Sequence, residues 1–210
     1  MHTTSPRVLS TVFLLALVAT PVAAAALLIE GDLNGKTLRI LVDDTKSEAE
    51  VSLGETHHLV DLDAGGAQLI ESDGTLGKQE VVREIGRAPM PVIKPWGPGP
   101  MVAGHASVYH VMMMGETICG ELLISPWMKP FVSPAVEALA ILERIKGDHD
   151  IKSATIDGPC GELPFSSYAA AGWPLMAGGV EHSLFETKTI SFDYQPSEQE
   201  LTRGGRDTQH

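Results

Sequence analysis

Residues 35–43 read GKTLRILVD, and this stretch decides the fold class. Its apolar members Leu38, Ile40 and Val42 lie on one side of an extended chain, and polar residues alternate with them. Alternation of this kind is typical of a β-strand that buries one face. The Asn34-Gly35 pair before it tolerates positive φ and predicts a tight turn.

Short runs of the same kind continue along the chain, with turn residues between them. We predict strands over 48–53, 58–63, 67–71, 105–114, 116–125, 173–176 and 185–194. Neighbouring runs at this spacing predict a meander, in which strands adjacent in sequence pair in the sheet. The expected fold class is mainly β, with a curved antiparallel sheet (a half-barrel) and one principal helix that covers the concave face.

The principal helix is predicted to begin at Ser133-Pro134, because serine can cap a helix and proline suits its first turn. Lys146 and Gly147 are predicted to close it. The apolar stripe that would pack on the sheet is formed by Val136, Leu139, Leu142 and Ile145.

A proline-rich stretch separates two groups of strands. Residues 87–99 contain four prolines and two glycines. Proline cannot donate to a strand ladder, so this stretch is predicted to be a loop that crosses the surface or the mouth of the sheet.

The first residues have the anatomy of a secretory signal. A polar start with Arg7 precedes an apolar stretch over 8–19 and small residues over 23–26. The apolar stretch is shorter than the roughly 20 residues of a membrane-spanning helix. The sequence therefore predicts a signal peptide over 1–25, cleavage near Ala24 to Ala26, and a periplasmic mature protein with no membrane span. One domain is expected over 26–200, followed by a disordered tail over 201–210.

The charge balance narrows the class of partner. The chain has 27 acidic and 15 basic side chains, a net charge of −12, and cleavage would remove only the charge of Arg7. Such a surface repels phosphate backbones and anionic lipid headgroups, which argues against nucleic acid and against electrostatic membrane docking.

Cys119 and Cys160 are the two cysteines of the chain. In an oxidising compartment an isolated pair most simply forms a disulfide. A loop of this length would stabilise the fold by about 4 kcal/mol in the chain-entropy view. A soft-metal site that uses the same sulfurs stays open as an alternative.

Histidine and methionine cluster on one predicted strand. His110, Met112 and Met114 share a face, and thioether and imidazole groups can hold Cu(I). Methionine also fills irregular apolar space in cores and pockets. His57 and His58 point to opposite faces of a strand, and His149 lies in a polar turn, so we interpret these histidines as solvated.

Motifs of catalysis are absent from the sequence. No G-x-S-x-G, H-E-x-x-H or C-x-x-C occurs. Ser166 and Ser167 have no recognisable base beside them, and Asp61 and Asp63 are ordinary for a solvated strand. We therefore predict that the protein is not an enzyme and that it has no catalytic residues and no cofactor.

Several pieces of the chain resemble the LolA/LolB-like half-barrel superfamily, closest to an exported bacterial family of unassigned function. The pieces are HLVDL at 58–62 with AQLI at 67–70, GHASVY at 104–109 with ELLI at 121–124 and Trp127, and GWPL at 172–175 with TKTI at 187–190. The resemblance implies a curved sheet with helical lids around a cavity for acyl chains or other lipophilic cargo. The chain departs from it in an insert around Cys160 and in having one helix fewer.

The expected function is that of a periplasmic, non-enzymatic binding or carrier protein for a lipid-like or other hydrophobic ligand. The residues expected to line the cavity and its lid are Val108, His110, Met112, Val136, Leu139 and Leu142. One alternative is a copper protein that uses His110, Met112 and Met114. Another is an accessory module that meets a periplasmic protein partner through the loop at 87–99 and binds no small ligand.

Overall fold

A computed structural model describes residues 26–43, 45–82, 91–145, 155–156, 163–178 and 183–196. Several predictions lie outside these ranges. They are the signal peptide and its cleavage site, His149, Cys160, residues 87–90, the helix end at Lys146 and Gly147, and the tail over 201–210.

Eleven of the thirteen strands in the described ranges form a single curved, unclosed antiparallel sheet, which is the kind of sheet that the sequence predicted. The first six strands are β1 Ala26–Leu33, β2 Lys36–Asp43, β3 Glu48–Leu53, β4 Thr56–Asp61, β5 Gly66–Leu69 and β6 Glu80–Val81. The remaining five are β7 Val92–Pro98, β8 Val108–Met114, β9 Thr117–Ser125, β12 Trp173–Gly178 and β13 Ser183–Tyr194. The two short strands β10 Thr155–Ile156 and β11 Leu163–Pro164 pair with each other outside this sheet.

The sheet consists of two meanders joined by its last strands. Its order is β6-β5-β4-β3-β2-β1-β13-β12-β9-β8-β7. Strands β1–β6 and β7–β9 each pair with their neighbours in sequence, as expected of a meander. β13 pairs with β1, and β12 pairs with β9, so the C-terminal hairpin is inserted between the two meanders.

The strand that decided the fold class forms as predicted. Leu38, Ile40 and Val42 are completely or almost completely buried. The turn before β2 places both Asn34 and Gly35 at positive φ, and the Gly35 amide donates a hydrogen bond of 2.9 Å to Asp32 Oδ1. The local sequence therefore specifies both the strand and the hairpin.

The prediction of a loop over residues 87–99 is wrong for Val92–Pro98. This segment is strand β7, which pairs with β8 at the edge of the sheet. The register is interrupted between Pro95 and Gly97. An edge strand uses only one side of its backbone for pairing, so it can accommodate prolines that a central strand would reject.

The principal helix, α1, covers Lys129–Arg144 and begins one turn earlier than predicted. A 3-10 turn at Pro126–Met128 leads into it. Pro134 lies inside the helix and has no amide hydrogen to donate, and the Ser133 hydroxyl donates to the Pro130 carbonyl oxygen at 3.5 Å. The helix was misplaced because the Ser-Pro pair resembles a helix start.

The buried stripe of α1 packs on the concave face, against strands β2–β5 and β12. It consists of Val132, Ala135, Ala138, Leu139, Ile141 and Leu142. None of the helices in the described ranges is long and apolar enough to cross a membrane.

A second, short helix, α2, covers Phe165–Tyr168 and completes the core beside α1. The Phe165 ring meets Trp173 and Phe185 edge-on, with ring centroids 5.8 and 4.6 Å apart. The Trp173 indole N–H donates to Thr187 Oγ1 at 2.9 Å, and the Thr187 hydroxyl donates to the Pro174 carbonyl at 3.0 Å. This hydrogen-bonded aromatic cluster fixes the C-terminal hairpin to the helices.

Candidate functional site

Two of the six residues predicted to line a cavity, Val136 and Leu142, border two different pockets of the described structure. Met112, Leu139 and Leu142 belong to the packed core, and His110 is also buried. Val136 borders a small pocket on α1, and Leu142 borders a larger pocket at the opposite end of that helix. Val108 is partly buried on β8 and borders neither of these two pockets.

The larger pocket has a volume of about 630 Å³ and lies between β4, β5, the segment after β5 and the end of α1. We call it the β4–β5 pocket. Its apolar lining is formed by Ala67, Leu69, Ile70, Leu142 and Ile145. Its polar lining is formed by Glu55, Thr56, His57, His58, Glu71, Ser72, Lys78 and Glu80, with Gly77 between them. α1 therefore fills the centre of the concave face and leaves a space near one edge.

Hydrogen bonds within the segment after β5 shape one wall of this pocket. The Gly77 amide donates to the Leu69 carbonyl at 2.8 Å, and the Glu71 amide donates to the Thr75 carbonyl at 2.9 Å. Asp73 accepts from both the amide and the hydroxyl of Thr75, and these hydrogen bonds hold the pKa of its carboxyl below the usual value. The wall is thus a hydrogen-bonded turn with defined geometry.

The rim of the β4–β5 pocket is predominantly acidic. Three exposed glutamates, Glu55, Glu71 and Glu80, line the pocket together with one exposed lysine, Lys78. The buried His58 adds an imidazole to the lining. An apolar floor below an acidic rim suits an amphiphile whose polar group is neutral or positively charged.

The smaller pocket has a volume of about 250 Å³ and lies along the first half of α1. It is lined by Lys129, Val132, Ser133, Val136, Glu137, Ala140, Ala169 and Gly172. Its volume is below the range typical of ligand pockets, so the β4–β5 pocket is the better candidate site.

Glu143 and Ser166 form a contact that sequence reasoning missed. The Ser166 amide donates to Glu143 Oε1 at 2.9 Å, and the Ser166 hydroxyl donates to Glu143 Oε2. Burial raises the pKa of the Glu143 carboxyl to about 7, although these hydrogen bonds oppose the shift. The contact joins α1 to the start of α2 over 23 residues, a separation at which no periodic pattern could have indicated it.

The predicted copper ligands share one face of β8. Met112 is completely buried, and Met114 packs partly buried against the same core cluster. His110 Nδ1 lies 2.8 Å from the Val108 carbonyl oxygen, to which it donates when Nδ1 carries the proton. Within the described ranges, no group of three His, Cys, Asp or Glu residues could hold a metal ion.

The adjacent histidines His57 and His58 line the β4–β5 pocket, whereas Cys119 does not. His57 Nδ1 is 3.8 Å from Glu50 Oε1, whereas His58 is buried, so the interpretation of both as solvated is wrong for His58. Cys119 is buried on β9, where the pairing with β8 has an irregular step. Cys160 lies outside the described ranges, and its pairing with Cys119 stays a prediction.

Comparisons with known proteins give no relative. No family model matches the chain, and no curated protein and no solved structure matches it significantly.

Proposed function

We propose that this is an exported, periplasmic binding or carrier protein, without enzymatic activity, for a lipid-like or other hydrophobic ligand. The observation that supports the proposal is the β4–β5 pocket, in which apolar side chains from the sheet and from the end of α1 line a space together with polar ones. Its volume of about 630 Å³ lies within the range typical of small-molecule sites. Each methylene group buried there would contribute about 0.8 kcal/mol of transfer free energy.

The charges on the rim define the preferred polar group of the ligand. Glu55, Glu71 and Glu80 would repel the carboxylate of a fatty acid and attract an alkylammonium group. We therefore expect an alkylamine to bind more tightly than the fatty acid of the same chain length. The neutral alcohol should have an intermediate affinity.

Native mass spectrometry of protein purified from its own periplasm tests this proposal directly. A bound small molecule of constant mass is expected. Protein that is empty, and that also fails to bind dodecylamine, dodecanol and dodecanoate in calorimetry, would contradict the proposal.

A matched pair of leucine variants assigns the site. Leu69 borders the pocket and is 38% exposed, whereas Leu76 is 41% exposed and does not border it. Leu69→Asp should weaken the binding of the neutral probe dodecanol about tenfold or more, and Leu76→Asp should leave it unchanged. Equal effects of the two substitutions would place the ligand elsewhere.

A soft-metal function is the second candidate. When His110 Nδ1 donates to the Val108 carbonyl, Nε2 is the ring nitrogen that remains for a copper ion. Met112 and Met114 would supply thioether ligands from the same face. Elemental analysis of aerobically and anaerobically purified protein tests this idea, and sub-stoichiometric copper and zinc in both samples would end it.

A third candidate is an accessory module whose edge strand β7 meets a periplasmic protein. Among the strands that the structure describes, β7 pairs only with β8, so its other edge can accept a strand from a partner. Crosslinking in intact cells should then yield a discrete adduct through residues 92–98, and the absence of such an adduct would contradict it.

A further inference from the structure

Five large apolar side chains are exposed on segments around one end of the sheet. Trp96 is 77% exposed, Trp127 70%, Met101 65% and Phe131 63%, and Phe192 is exposed beside Phe131. We call this set, Trp96, Met101, Trp127, Phe131 and Phe192, the apolar end. Single exposed apolar side chains are normal on a protein surface, but several large ones in one region usually mark a binding surface.

The strand register brings these segments together. Pro98 on β7 pairs with Val108 on β8, which pairs with Ile124 on β9. The next residue of β9, Ser125, pairs with Trp173 at the start of β12. The end of β7, the start of β8, the end of β9 and the start of β12 therefore lie at the same end of the sheet.

The exposed side chains follow these strand ends closely. Met101 comes three residues after β7, and Trp127 comes two residues after β9. Phe131, in the first turn of α1, meets the Phe192 ring edge-on with centroids 5.6 Å apart. Trp96 lies within β7 at the step where the register is interrupted. The apolar end thus combines four elements of the fold.

Charge is distributed unevenly toward the apolar end. The chain has 27 acidic residues, yet none falls within 85–115 or within 122–136. Lys94 and Lys129 are exposed in these segments. The acidic residue directly beside a member of the apolar end is Asp193, next to Phe192. The segments that carry the exposed tryptophans therefore contain lysine and no acidic residue, and Glu137 is the acidic residue that borders the same small pocket as Lys129.

We propose that the apolar end docks the protein on the surface of a phospholipid bilayer. Tryptophan rings partition to the level of the lipid headgroups, where an apolar ring and a polar N–H are both accommodated. Lys94 and Lys129 would contact lipid phosphates, while the acidic remainder of the surface is repelled. Insertion of the exposed rings and repulsion of the acidic surface therefore both favour an orientation in which the apolar end faces the membrane. This docking surface lies away from the β4–β5 pocket and does not depend on the proposed ligand.

Flotation with vesicles of phosphatidylethanolamine and phosphatidylglycerol, at a ratio of about three to one, tests the proposal on the mature full-length chain. The protein should float with the vesicles, and its tryptophan emission should shift to shorter wavelength. The buried Trp173 contributes a constant background, so the shift reports on Trp96 and Trp127.

Matched variants identify the docking surface. Trp127→Ser with Phe131→Ser should reduce vesicle partitioning about tenfold or more, because two exposed rings lose their apolar contact with lipid. The control pair, Leu76→Ser with Val81→Ser, changes exposed apolar residues at the other edge of the sheet and should partition like the unaltered protein.

Three outcomes would overturn the proposal. The unaltered protein could fail to float, or both pairs of variants could float equally well. The third outcome is a dimer, seen by sedimentation without vesicles, that the double variant Trp127→Ser, Phe131→Ser no longer forms. The apolar end would then bind a second copy of the chain.

Discussion

At the scale of single residues, the partly buried Glu143 makes stability depend on pH. Its pKa is raised from an ordinary value of 4.5 to about 7 in the folded protein. Below pH 4.5 the carboxyl is protonated in both folded and unfolded chains. Between pH 4.5 and about 7 the Glu143 carboxyl ionises in the unfolded chain but stays protonated in the folded one. The free energy of unfolding therefore falls by about 3 kcal/mol as the pH rises through this range.

Glu143→Gln should remove this pH dependence. The amide oxygen can still accept from the Ser166 N–H, but the side chain no longer ionises. In urea denaturation we expect the variant to be more stable than the unaltered protein at pH 8 and no more stable at pH 4. Glu137→Gln on the exposed side of α1 is the control, and a similar gain from it at pH 8 would contradict the prediction.

The hydroxyl of Thr187 is expected to stabilise the core through Trp173. Thr187→Val keeps the side-chain volume but removes the acceptor of the indole N–H, and this should lower the free energy of unfolding by about 1–3 kcal/mol. Thr187→Ser keeps the hydroxyl and loses one methyl group. Chemical denaturation should show that valine is the more damaging substitution, and the reverse order would refute the assigned hydrogen bond.

Sequence reasoning found some residues of the candidate site and missed others for a physical reason. Leu142 was predicted to face a cavity because it lies on the apolar stripe of the helix, and it borders the β4–β5 pocket. The opposite wall at Leu69 and Ile70 was not predicted. The part of the sheet that stays uncovered depends on which strands α1 packs against. The apolar stripe of the helix predicts which of its faces is buried, but not which strands it covers.

At the scale of elements, the seam between β1 and β13 depends on Gly31. A Cβ atom there would lie 2.8 Å from the Glu186 carbonyl oxygen and 3.1 Å from the Phe185 ring. Gly31→Ala should therefore push the two strands apart and lower the free energy of unfolding by about 1–3 kcal/mol. Thermal and chemical denaturation measure the loss.

Gly97→Ala on β7 is the matched control for Gly31→Ala. A Cβ atom at Gly97 would meet nothing within 4 Å, so its effect should stay within about 0.5 kcal/mol. If both glycines tolerate alanine equally, the close approach of β1 and β13 is not as tight as the structure indicates.

Strands β2 and β3 were predicted better than the edge strand β7. β2 and β3 agree with prediction to within one residue, since alternate apolar residues of each are buried. β7 was missed because its prolines predict a loop, and only its position at the edge makes a proline-bearing strand acceptable. Sequence shows the prolines but not which strands end up at the edge.

At the scale of the whole molecule, the predicted disulfide would fasten residues around 160 to the centre of the sheet. Cys119 lies on β9, which pairs with β8 and β12, and its side chain belongs to the buried core. If Cys119 and Cys160 are bonded, reduction should lower the free energy of unfolding by up to about 4 kcal/mol. Cys160→Ser should be insensitive to reductant, and an unaltered protein that is equally insensitive would exclude the bond.

The order of the strands has a consequence for how an exported chain would assemble. Among the described strands, β1 has β2 and β13 as its neighbours, so Leu33 on β1 pairs with Phe185 only after most of the chain has been made. A chain that emerges N-terminus first therefore carries an open, apolar strand edge until almost all of it has appeared. Pairing between strands that are far apart in sequence slows folding, and an exposed strand edge favours aggregation until the pairing has formed. We therefore expect a chaperone to shield the unpaired edge of β1 until β12 and β13 have emerged.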